Sequence, residues 1–93
     1  MNNPSSLVAY LEKDFKQLGI EDKDKLKEII KAGLNWETNY WIDCALNWIE
    51  NGFELDKELV DILEKISKNT NNPQQTRQRA FAYAKKWQNR KIT

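Results

Sequence analysis

Leu7, Val8, Leu11, Phe15 and Leu18 recur at the three- and four-residue intervals that line one face of a helix, with polar residues between them. This spacing predicts a first helix over residues 4–18. Asn3-Pro4-Ser5-Ser6 opens it, Asn3 as the cap and Pro4 in a first-turn position where a missing N–H costs nothing. Gly19 supplies a left-handed stop, and Ile20 beyond it is expected to fold back on Phe15, the apolar contact of a Schellman ending. Leu26, Ile29 and Ile30 form the stripe of a short second helix over 23–32, capped by Glu21 or Asp22 and ended by Gly33.

The third helix, expected over 36–51, carries Trp41, Ile42, Cys44, Ala45, Leu46, Trp48 and Ile49 on an arc of roughly 200°. An arc that wide needs covering on two sides. Its narrow remaining face holds Trp36, Asn39, Tyr40, Asp43, Asn47 and Glu50. After Gly52, Phe53 repeats the part of Ile20, and Asp56 caps a fourth helix over 56–68 with Leu59, Val60, Ile62, Leu63 and Ile66 inward. Loop formers gather from Ser67 to Asn72, and Pro73 opens a fifth helix over 73–89. Nowhere do β-branched and aromatic residues alternate as a strand requires. The expected fold is all-α: one compact domain over residues 1–93, a bundle of about five short amphipathic helices.

A shift of 52 − 19 = 33 positions sets Gly19 on Gly52, Ile20 on Phe53, Leu26 on Leu59, Ile29 on Ile62 and Ile30 on Leu63. The same shift aligns Phe15, Trp48 and Phe81. Such a period suits two and a half HEAT-like helical hairpins, each burying its apolar face on the next. In that register the fifth helix is a half-unit without a partner helix. The plainer account is that two short amphipathic helices lying between glycines align passably in any case. The tetratricopeptide and ankyrin consensus residues are missing.

The chain has 93 residues, 40% of them hydrophobic and 31% charged. Its mean hydropathy is -0.82, and no apolar run approaches the ~20 residues of a membrane span. Met1-Asn2-Asn3-Pro4 lacks the basic and apolar regions of a secretory signal, so a cytoplasmic location is expected. A single cysteine, Cys44, excludes an intrachain disulfide, and with no histidine the common zinc sites cannot be assembled. Cys44 sits in an apolar helix, where a small buried hydrophobe is the default. Carboxylates stand singly or at helical spacing beside lysines, as on solvated faces, and no phosphate loop, nucleophile elbow or calcium loop is present. Neither an enzyme nor a cofactor or metal site is expected.

Charge divides the chain unevenly. Residues 1–73 carry nine Lys and fourteen acids, 9 − 14 = −5, whereas residues 74–93 carry six Lys or Arg and no acid, +6. On the fifth helix Arg79, Tyr83, Lys86 and Arg90 fall within about 60° of one another, opposite an arc of Ala80, Phe81, Ala84 and Trp87 expected to pack. A basic ridge with an aromatic among its cations suits an acidic protein surface, and equally a phosphate backbone with bases stacking on Tyr83. It also suits plain solubility, its cations matching the helix dipole. Trp36 and Tyr40 form a second candidate, since exposed Trp and Tyr anchor interfaces, although a helix seam uses them too. The leading expectation is a small non-catalytic adaptor or modulator that binds an acidic protein through Arg79, Tyr83, Lys86, Arg90, Trp36 and Tyr40. The alternative is non-specific binding of RNA or single-stranded DNA by the same ridge. Homo-oligomerisation of opposite charges is a third reading, and no membrane partner is expected.

Overall fold

The computed structural model describes residues 4–92, with side chains over 7–89. Asn3, expected to cap the first helix, and the side chain of Arg90 lie outside the described residues. The fold is all-α, with five α-helices, two 3-10 turns and no strand among the described residues. None of the described helices is long and apolar enough to cross a membrane. The chain forms two compact units, Met1–Phe53 and Glu54–Thr93.

In the first unit, α1 spans only Pro4–Ala9, followed by 3-10 turns at Tyr10–Glu12 and Phe15–Gln17. The continuous helix expected over 4–18 breaks at Lys13 and Asp14, both extended, with ψ of 154° and 134°. Two hydrogen bonds account for the break, one local and one from a residue far along the chain. The Asp14 carboxylate accepts the Lys16 N–H at 3.1 Å and so caps the second turn. The Lys13 carbonyl, which a continuing helix would bond to its own backbone, accepts the indole N–H of Trp48 at 2.8 Å. Trp48 is only 1% exposed, so that N–H needs a partner inside the protein. Breaking the helix also brings Phe15 to Trp48 and edge-on to Phe53, with ring centroids 5.6 and 5.4 Å apart.

Helix α2 (Lys23–Leu34) starts as expected, the Asp22 carboxylate accepting the Asp24 N–H at 2.9 Å. It does not stop at Gly33. That glycine is the penultimate residue of the helix, buried where the Tyr10–Glu12 turn and the third helix pack on α2. A Cβ there would run into the Leu11 side chain and lie 3.1 Å from the Trp41 carbonyl oxygen and 3.3 Å from the Ala45 Cβ. Helix α3 (Asn39–Glu50) begins after Thr38 rather than at Trp36, and its wide arc is buried at Ile42, Cys44, Ala45, Leu46, Trp48 and Ile49. Its end follows expectation. Gly52 has φ 108°, its N–H reaches the Ile49 carbonyl at 3.1 Å, and the Phe53 N–H reaches that of Trp48 at 3.0 Å. Those bonds and the Phe53–Trp48 ring contact at 6.0 Å complete a Schellman ending. Gly19 also has positive φ, 69°, but it follows a 3-10 turn and not the end of an α-helix.

In the second unit, Asp56 caps α4 (Lys57–Lys68) by accepting the Leu59 N–H at 2.9 Å. Asparagines build the connection that follows. Asn69 accepts the Asn71 N–H at 3.0 Å, and the Asn72 side chain donates at 3.3 Å to the Ile66 carbonyl, which also accepts the Asn69 N–H at 3.2 Å. Arg77 Nε donates to the Asn72 carbonyl at 3.0 Å, tying the same loop to α5 (Gln74–Ile92). Helix α5 lies along α4. The 33-residue register holds at the glycines and at the buried pairs Leu26/Leu59 and Ile30/Leu63. It fails at Phe81, which is 54% exposed where Trp48 is buried.

Candidate functional site

Helix α5 buries a row of small residues, Thr76, Ala80 and Ala84, spaced four apart. Side chains this small let a neighbouring helix approach closely. Half-buried Trp87 closes the row, its indole N–H donating to the Leu55 carbonyl at 3.2 Å. At about 100° per residue the centre of this row sits near Ala80, so Phe81 is turned away from it. The expectation that Phe81 packs is therefore overturned. A four-residue spacing of small residues was the signal for it, obscured by the usual preference for placing the largest apolar side chain inside.

The same rotation moves the basic ridge from the far side of the helix to the border of the buried row. Arg79 and Tyr83 are half-buried there. The Arg79 guanidinium donates to the Tyr83 hydroxyl at 3.4 Å and lies 5.9 Å from the ring centroid. This cation–π pair holds the guanidinium beside the Tyr83 ring. Lys86 is exposed. Phe81 is also open to solvent, with the Lys85 ammonium 5.9 Å from its ring centroid. The structure thus adds Phe81 and Lys85 to the residues α5 presents.

The second candidate comes apart. Trp36 lies in the connection before α3, half-buried, so it does not share a helix face with Tyr40. Tyr40 is 55% exposed and packs edge-on against Trp41 at 4.8 Å. Its hydroxyl donates to Glu12 Oε2 at 2.7 Å. That bond to a carboxylate favours the neutral phenol and pushes its pKa from 10.0 up to about 12. Because the folded-state value is the higher one, the tie contributes stability that is whole below pH 10 and is lost as the pH rises through about 12. Subtracting the alkaline absorbance titration of Tyr40→Phe from that of the native chain is expected to leave one transition near 12. A difference transition at the ordinary phenol value would show that the tie is absent. Cys44, one turn further on, is buried, and burial raises its thiol pKa, so it is held as the neutral form.

Comparison of the chain with protein families, with curated proteins and with solved structures finds no match.

Proposed function

We propose that this chain is a small, non-catalytic interaction module of the cytoplasm that binds an acidic protein surface through α5. One observation carries the reading: all six cations of residues 74–93 belong to a segment with no carboxylate of its own, whose helix buries the small residues Thr76, Ala80 and Ala84 and leaves Lys85 and Lys86 exposed. Lys86 and the Arg79–Tyr83 pair along one border supply charge and a rigid amphipathic contact, the types of group that anchor interfaces. Net opposite charge speeds encounter and makes the complex salt-sensitive.

Capture from native lysate at low salt should recover acidic proteins that elute as salt is raised. Reversing Arg79, Lys86 and Arg90 together to glutamate is expected to weaken their retention by on the order of tenfold or more. Equal retention of the same proteins by the reversed chain would remove α5 from the contact. Sedimentation at two salt concentrations tests the self-association version, which requires a salt-dependent rise above monomer mass.

A further inference from the structure

A second row runs along α5, rotated by about 130° from the ridge and composed differently. Gln74, Gln78, Phe81, Lys85 and Asn89 fall within about 80° of one another, and all five are exposed. The row extends over about 22 Å of helix. It joins uncharged amides, one open aromatic ring and a cation, with no acidic residue anywhere from 74 to 93. We infer that this outer row binds single-stranded nucleic acid, a base stacking on Phe81 while Lys85 meets the neighbouring phosphate. The inference does not rest on the acidic-protein reading, which uses the other border of the helix.

Each component has a chemical reason. A base laid on the exposed Phe81 ring would take its apolar surface out of water, and every base has a π-face to offer. Lys85 already lies near that ring, so a stacked nucleotide would bring its phosphate beside a cation. Glutamine and asparagine side chains each hold a donor and an acceptor, matching the mixed edges of unpaired bases without adding charge. A carboxylate in the row would repel phosphate, and none is there. Duplex DNA or RNA keeps its bases stacked on one another and withholds the face that Phe81 would contact. Single strands are therefore the preferred form.

Fluorescence anisotropy of the full chain with labelled oligo-dT, oligo-rU and a duplex of the same length tests this, the first two distinguishing DNA from RNA. The expected result is saturable binding of one or both single strands, weaker for the duplex. Phe81→Ala should weaken single-strand binding at least about fivefold, and Phe81→Trp should restore it. Lys85→Gln should reduce the slope of log affinity against log salt by about 0.7. Since Phe81 is largely exposed, the variants keep the fold, which circular dichroism checks. No saturable binding at low salt overturns the inference. So does a Phe81→Ala chain that binds like the native one, or equal affinity for the duplex, either of which would make α5 a site for polyanions in general. Loss of oligonucleotide binding only in the Arg79, Lys86 and Arg90 reversal also overturns it, while leaving the acidic-protein reading intact.

Discussion

Replacing Trp48 with alanine is expected to lower the unfolding free energy by about 3–5 kcal/mol, the range for deleting a buried tryptophan. For a chain whose whole stability is on the order of 5–14 kcal/mol, that is a large fraction. Three things are lost together: the contacts with Phe15 and Phe53, the buried volume of a side chain 1% exposed, and the indole N–H that satisfies the Lys13 carbonyl. Urea unfolding followed by helical circular dichroism measures the sum. Trp48→Phe separates the last contribution, because it keeps an aromatic ring against Phe15 and Phe53 and removes only the donor and part of the volume. It is expected to cost about 1–3 kcal/mol, the penalty for an unmet polar group in a part-buried place. A Trp48→Phe chain as stable as the native one would mean that the bond to Lys13 does not hold the break in the first helix.

Gly33 is the second sensitive position, for the opposite reason. Adding a side chain there gains helix propensity, about 1 kcal/mol for alanine. It also puts a methyl group into the space of Leu11 and against the Trp41 carbonyl, 3.1 Å away. Leu11 is 3% exposed and has no open side to swing toward, and a backbone carbonyl inside a helix moves only with the helix. Overpacking of this kind costs about 1–3 kcal/mol. Gly33→Ala is therefore expected to be destabilising after the propensity gain is set against it, and Gly33→Val to lie at the upper end of that range or beyond. A Gly33→Ala chain more stable than the native one would show that the two packed elements yield at this point.

How far the sequence foretold the molecule depends on what each feature needs. Asp22 and Asp56 cap helices, and Gly52 with Phe53 ends one, because those outcomes are settled within four or five residues of chain. The stripes of α2 and α4 and the wide arc of α3 were equally legible, since period and burial coincide there. Trp36 was misplaced because no strong cap marks the start of α3: Thr38 stands at that position without a side-chain bond. The basic character of residues 74–93 was plain from composition, yet the rotation of α5 about its axis was not. The apolar and amphipathic side chains of that helix, among them Ala80, Phe81, Ala82, Tyr83, Ala84 and Trp87, allow more than one inward face.

An all-α chain with a charge division at residue 74 follows from order and composition alone, because helix period, caps and charge are properties of neighbours along the backbone. Contacts between residues far apart in sequence set the rest. Lys13 yields its helical bond to a tryptophan 35 residues away. A glycine that reads as a stop is the point where two elements meet α2. The small row Thr76, Ala80 and Ala84 lies inward, and that rotation exposes Phe81 to solvent. Each of these outcomes turns on how closely two segments can approach, a quantity that depends on shape in three dimensions and not on the order of neighbours along the chain.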